Sequence, residues 1–115
     1  MIAMLDVSLH AGYEEGPFFY VTGRHEGTNH FIDEAQEFLG LSDDLVKDLT
    51  EWDDEYQSYY NPDVPQDSGF PSVEVKRAWV ERGRKLAPRI KQESSKDITV
   101  HYQANGSIER GDCVF

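Results

Sequence analysis

Residues 42–59 read Ser-Asp-Asp-Leu-Val-Lys-Asp-Leu-Thr-Glu-Trp-Asp-Asp-Glu-Tyr-Gln-Ser-Tyr. Apolar side chains recur in this segment at intervals of four, three, four and three residues, which is the spacing of one face of an α-helix. They are Leu45, Leu49, Trp52, Tyr56 and Tyr59. Ser42 is a preferred N-cap, and the two aspartates after it lie where the helix dipole favours negative charge. The pattern predicts a helix with a buried apolar stripe and an acidic opposite face.

Another helix is predicted before this segment. After a loop at Gly23–Gly27, it begins with Thr28 or Asn29 as its N-cap. It ends at Gly40, because glycine adopts the left-handed conformation that commonly terminates a helix. The face predicted to be apolar consists of Phe31, Ile32, Ala35, Phe38 and Leu39.

A third helix is predicted to follow the loop at residues 61–71, which three prolines stiffen. Ser72 is its N-cap, and its inner face carries Val75, Trp79, Gly83, Leu86 and Ile90. A glycine at position 83 on that face indicates a close crossing with another element. Pro88 removes one helical hydrogen bond, so a kink or an early end is expected there.

Strands are predicted at both ends of the chain. Ile2–Leu9 and Phe18–Thr22 form the first pair, and Ile98–Gln103 alternates with the period of a strand. Asn105-Gly106 is a strong hairpin signal, so Ser107–Phe115 is expected to return as its partner. The prediction is an α+β fold in one domain, residues 1–115. An antiparallel sheet, built from the N-terminal strands and a C-terminal hairpin, is packed on one face by two or three central helices.

The net charge of −11 is confined to residues 33–67. That segment carries twelve acidic residues and a single base, Lys47, whereas the rest of the chain has ten acids and ten bases. A localised negative field attracts basic proteins and repels nucleic acid and anionic membranes. We therefore expect a basic protein partner, with no direct binding to nucleic acid or to a membrane.

The segment of the predicted third helix has an excess of positive charge. Residues 72–96 carry eight bases and three acids. If this helix is an antiparallel neighbour of the acidic one, part of the acidic field is neutralised within the chain. A surplus of five positive charges does not cancel eleven negative ones, so an acidic face should remain. The alternative is a charged helix that serves only solubility.

No pattern in the chain indicates catalysis, a cofactor or a metal centre. Four scattered histidines include His25 beside Glu26, and His30 near Asp33, but no pair has the spacing of a metal site. There is no nucleophile elbow and no glycine-rich phosphate loop. We expect a protein that is not an enzyme and that needs no cofactor. Its single cysteine, and the lack of a readable signal peptide or apolar span, favour the cytoplasm.

A family resemblance lies where the acidic helix meets the loop. Tyr59-Tyr60-Asn61-Pro62, then Asp67-Ser68-Gly69, then Val75-Lys76-Arg77-Ala78-Trp79, is similar to part of the bacteriocin (colicin) DNase immunity proteins. The resemblance implies that Tyr59 and Tyr60 contact a basic nuclease toxin, with nearby helix acids in a supporting role. That family is a smaller all-helical bundle, so the resemblance implies a mode of action rather than a fold. The loop and third helix also resemble small uncharacterised actinobacterial proteins, which leave the function open.

The favoured hypothesis is a small acidic interaction protein that neutralises a basic partner, namely a toxin immunity protein acting on a nuclease-type toxin. Two alternatives stay open: a nucleic-acid mimic, and a self-associating accessory protein in which two copies pair as a homodimer. The candidate partner-binding residues are Asp48, Glu51, Asp54, Glu55, Tyr59, Tyr60, Asp63 and Asp67.

Overall fold

The computed structural model describes residues 4–21 and 28–115. Those ranges contain β1 (Leu5–His10), β2 (Phe18–Phe19), β3 (Asn29–His30), α1 (Ile32–Leu39), α2 (Asp43–Ser58), α3 (Val73–Glu93) and β4 (Ile98–Ala104). A short 3-10 helix, Pro65–Asp67, lies between α2 and α3. The strands form one four-stranded sheet in the order β3-β2-β1-β4, which confirms the α+β class.

The sheet is mixed, so the prediction of a purely antiparallel sheet is wrong. β1 and β2, and β2 and β3, pair antiparallel, but β1 pairs parallel with β4, with Leu5 opposite Ile98 and Val7 opposite Val100. The reason is the connection, because the three helices between β1 and β4 provide the long crossover that parallel pairing needs. β1 and β4 are therefore neighbours in the sheet, with β4 at one edge, although they are distant in sequence.

The predicted C-terminal hairpin is present only in part. Gly106 has a φ of 93° and its N–H donates to the carbonyl of Gln103 at 2.8 Å, which makes the expected turn. The returning segment reaches β4 only at its end, where Phe115 and Val100 exchange backbone hydrogen bonds of 2.8 and 3.0 Å. Gly111 has a positive φ of 97°, which interrupts the extended conformation that Ser107–Phe115 was expected to adopt.

The N-cap of helix α1 lies two residues later than Asn29, the nearer of its two predicted positions. Asn29 pairs with Phe19 as part of β3, so the N-cap is Phe31 and the first helical residue is Ile32. Phe31 is therefore exposed rather than on the apolar face, which corrects that prediction. The predicted end at Gly40 is confirmed by its left-handed conformation and by the hydrogen bond from its N–H to the carbonyl of Gln36 at 2.8 Å.

Helices α2 and α3 follow the prediction most closely. The hydroxyl of Ser42 accepts from the N–H of Leu45 at 3.2 Å, and that of Ser72 accepts from the N–H of Val75 at 3.1 Å. Pro88 does not end α3, which continues to Glu93. Proline inside a helix costs about 3 kcal/mol, and the burial of Ala87 and Ile90, the core side chains on either side of it, offsets a cost of that size.

Two tryptophans connect α2 to α3 through reciprocal hydrogen bonds and a ring stack. The indole N–H of Trp52 donates to the carbonyl of Trp79 at 3.0 Å, and the indole N–H of Trp79 donates to the carbonyl of Trp52 at 2.8 Å. Their rings stack with centroids 4.5 Å apart. Gly83 completes the crossing, because a methyl group on it would lie 2.7 Å from the indole nitrogen of Trp52. The close crossing predicted at this glycine is confirmed.

Some sequence predictions fall outside the described residues. They are the start of the first strand at Ile2 and Ala3, the end of the second strand at Thr22, the loop Gly23–Gly27, and the pair His25 and Glu26. Within the ranges that the structure describes, no helix is long and apolar enough to cross a membrane.

Candidate partner-binding surface

Two of the candidate acids are already held by arginines of α3. Arg89 donates to Asp48 through Nη1 to Oδ2 at 2.6 Å, and Nη2 of Arg82 contacts Oε1 of Glu55. The side-by-side packing of α2 and α3 brings these charges together, as the alternative of internal neutralisation anticipated. Asp48 and Glu55 are therefore only partly available to another molecule.

Glu51 and Asp54 differ from those two acids. Both are exposed on α2, and neither forms an ion pair with another described residue. Asp44, two turns before Glu51 on the same helix, is also exposed. The internal neutralisation is thus confined to one edge of α2, and the outer acidic face remains.

The two tyrosines at the end of α2 belong to an aromatic cluster. The hydroxyl of Tyr59 donates to Oε2 of Glu55 at 3.0 Å, and its ring lies 5.2 Å from that of Phe70. Burial, together with the hydrogen bond to Glu55, raises the pKa of Tyr59. Tyr60 packs on Tyr13, with ring centroids 5.1 Å apart. Both tyrosines are half-buried, so each presents an edge rather than a full ring to a partner.

The loop after α2 is held by hydrogen bonds to its own side chains. The side-chain oxygen of Asn61 accepts from the N–H groups of Asp63 and Val64, both at 3.1 Å, and the hydroxyl of Ser68 accepts from the N–H of Asn61 at 2.8 Å. The carboxylates of Asp63 and Asp67 are exposed on this framework. The loop therefore extends the acidic surface beyond the end of the helix.

Sequence reasoning missed a slot between α2 and α3. It has a volume of about 220 Å³ and is lined by Asp48, Glu51, Trp52, Arg82, Lys85 and Leu86. Trp52 and Leu86 are both buried and form its apolar floor. The facing apolar stripes predicted the contact between the helices, but the width of the gap depends on how the two helices pack in three dimensions.

Asp53 lies on the inner side of α2, against the loop that follows β1. Its pKa is raised to about 6. Burial is the main cause, the hydrogen bond from the Gln57 amide opposes the rise, and the neighbouring charge of Asp54 adds to it. Gln57 connects this carboxylate to the loop, since its Nε2 donates to Oδ1 of Asp53 at 3.3 Å and to the carbonyl of Gly12 at 2.7 Å. At neutral pH Asp53 is therefore ionised in surroundings that disfavour its charge, which costs folding stability.

This position makes the stability of the protein depend on pH. The pKa of Asp53 in the folded chain is above its ordinary value of 3.8, so between about pH 4 and pH 6 stability falls as the pH rises. Replacing Asp53 with asparagine keeps an acceptor for Gln57 and removes the charge. We expect Asp53→Asn to raise the free energy of unfolding by about 1–2 kcal/mol at pH 7.5, and by much less at pH 4.5. Urea denaturation at the two pH values measures this, with Glu51→Gln as an exposed control on the same helix. Equal gains at both pH values would contradict the prediction.

A larger cavity, of about 480 Å³, lies against the sheet, and sequence reasoning did not anticipate it either. Its lining includes Asp6, His10 and Arg110. Asp6 is engaged by Arg110 at 3.6 Å and by His101 at 3.3 Å, so neither sign of charge dominates there. No residue of α2 lines this cavity.

Within residues 4–21 and 28–115, no three His, Cys, Asp or Glu side chains are grouped as a metal ion would require. His30, one of the two candidates named from the sequence, is instead buried, with Nε2 2.9 Å from the carbonyl oxygen of Tyr20 and Nδ1 3.4 Å from Glu34. These contacts are those of a structural histidine.

Comparison with protein families gives one match that spans most of the chain. The model of a family described as Serratia CdiI immunity protein-like matches residues 5–105. The match includes every described helix and strand, as well as all eight candidate residues. No curated protein matches the chain.

Proposed function

This chain belongs to the Serratia CdiI immunity protein-like family, and on that premise we propose that it neutralises a basic toxin by binding it through the acidic face of α2. The family supports an immunity role, which agrees with the resemblance to immunity proteins found in the sequence. The identity of the toxin, its basic character and the contact residues are parts of the proposal.

The observation that carries the proposal is a surface of exposed carboxylates without ion pairs among the described residues. Glu51 and Asp54 provide it on the helix, and Asp63 and Asp67 continue it on the loop. A surface of this kind attracts a positively charged protein at long range, before the two proteins touch. A nuclease fits this description well, because it presents basic side chains to the phosphates of its substrate.

The aromatic cluster supplies the short-range part of the mechanism. Tyr59 and Tyr60 are half-buried at the junction of α2 with the ordered loop. Tyrosine is common in binding hot spots, because it adds a large apolar area and a hydrogen-bonding tip at a low entropic cost. Because the cluster fixes their rings before binding, little freedom is lost when a toxin covers them. In this proposal the acids speed association, and Tyr60 with residues 62–70 slows release.

The direct test uses a purified candidate toxin, for which any toxin gene found beside the gene of this chain is the first choice. The wild-type protein should form a stable complex and abolish the activity of the toxin. Replacing Glu51 with glutamine and Asp54 with asparagine should weaken the affinity by roughly tenfold or more, since both lie at the centre of the proposed contact. Calorimetric titration measures the change.

A matched control separates this contact from net charge. Glu109→Gln with Asp112→Asn also removes two exposed carboxylates, but in the C-terminal loop and outside the acidic face. The control should bind the toxin nearly as tightly as the wild type. Equal losses in the two double variants would show that α2 is not the docking face. A wild-type protein that does not bind the toxin at all would rule out the proposed function.

A further inference from the structure

The slot between α2 and α3 contains two opposite charges that face the same space without pairing. Glu51 lines its α2 side and Lys85 its α3 side, and neither forms an ion pair with a described residue. The other two charges of the lining are already engaged, Asp48 with Arg89 and Arg82 with Glu55. The groups left to meet a ligand are therefore one carboxylate and one ammonium.

The shape of the slot limits what can enter it. Its volume of about 220 Å³ corresponds to roughly seven water molecules, which is room for a single long side chain. The floor, Trp52 and Leu86, is apolar, and the charged groups stand at the rim. A side chain with an aliphatic stem and a charged tip satisfies both regions, as arginine and lysine do when the stem packs on an apolar surface and the tip stays at its edge.

The surrounding field decides the sign of that tip. Glu51 and Lys85 cancel each other locally. The α2 side of the slot belongs to residues 33–67, with a net charge of −11, and its α3 side belongs to residues 72–96, with eight bases and three acids, so the two segments together remain negative. A cation is drawn towards this region, and an anion must overcome the same field to reach Lys85. Arginine fits better than lysine, because its planar guanidinium donates two parallel hydrogen bonds to one carboxylate.

We infer that the slot receives one arginine side chain of the toxin, with its stem against Trp52 and Leu86 and its guanidinium on Glu51. The inference rests on the proposed function and adds the chemistry of the anchor. Lys85 then weakens binding, because its ammonium group repels the incoming guanidinium. Removing Lys85 should therefore improve binding, whereas removing the charge of Glu51 should weaken it.

The test compares the dissociation rates of the purified toxin from the wild type, Glu51→Gln and Lys85→Gln. Loss of a charge-assisted hydrogen bond should make dissociation from Glu51→Gln roughly tenfold faster or more. Dissociation from Lys85→Gln should be about two- to fivefold slower. Both residues are exposed, so urea denaturation should show all three proteins equally folded.

The dissociation rate should rise in Glu51→Gln and fall in Lys85→Gln, so the possible outcomes are easily distinguished. Faster dissociation from Lys85→Gln together with slower dissociation from Glu51→Gln would mean that an anionic group enters, and unchanged rates in both variants would mean that the slot stays empty. Either result overturns the inference and leaves the proposed function intact, provided the wild type binds. Absence of any complex with the wild type removes both.

Discussion

Replacing Gly83 with alanine is expected to lower the free energy of unfolding by about 2–3 kcal/mol, although alanine is the better helix former by about 1 kcal/mol. The added methyl group would lie 2.7 Å from the indole nitrogen of Trp52 and would also meet the hydroxyl of Tyr102. That hydroxyl donates to the carbonyl of Val80 at 2.7 Å, so it is not free to move aside. The added methyl group would therefore push α3 away from both α2 and β4. Urea denaturation followed by tryptophan fluorescence measures the loss.

A double-mutant cycle shows whether the contact with Trp52 is the cause. Trp52→Phe removes the indole nitrogen that the new methyl group would approach. Gly83→Ala should therefore cost less in the Trp52→Phe background than in the wild type, although the contact with Tyr102 remains. A stabilising effect of Gly83→Ala in the wild type would show that the crossing is looser than the structure indicates.

The helices were predictable because their signals are local. Ser42, Ser72 and Gly40 act through hydrogen bonds or backbone angles within a few residues of themselves, and the apolar stripe of α2 is visible in one short segment. The sheet was less predictable, since β2 and β3 have only two residues each. The parallel pairing of β1 with β4 joins segments separated by the whole helical region, and nothing in either strand specifies its direction.

The candidate surface was predictable in its charge but not in its pairing. The cluster of acids is a property of composition, so the sequence is enough to find it. Which acids are neutralised depends on the rotation of α3 about its axis, which brings Arg82 to Glu55 and Arg89 to Asp48 while leaving Lys85 without an ion pair among the described residues. The slot results from the same packing. The position of Tyr60 against Tyr13 also required the structure, because Tyr13 lies in a loop distant in sequence.

The largest effect on the association rate is expected from neutralising the four candidate acids that the described residues leave without ion pairs, namely Glu51, Asp54, Asp63 and Asp67. Changing all four to their amides should slow association with the basic toxin by about tenfold at low ionic strength. The reason is that these charges act before contact. At about 0.15 M salt, where the Debye length is about 8 Å, the wild type should lose much of its advantage and the amide variant should change little. Stopped-flow mixing at several salt concentrations measures both rates.

A control of equal charge determines whether position or net charge produces this effect. Glu74, Asp97, Glu109 and Asp112 are exposed, lie outside residues 33–67 and form no ion pairs with described residues. Converting these four to amides changes the net charge by the same amount, so an effect of total charge alone would slow both variants equally. We expect the control to lose no more than about twofold, because a docking surface steers through the charges nearest the contact. If salt instead acted mainly on dissociation in the wild type, the acids would belong to the final contact and not to steering.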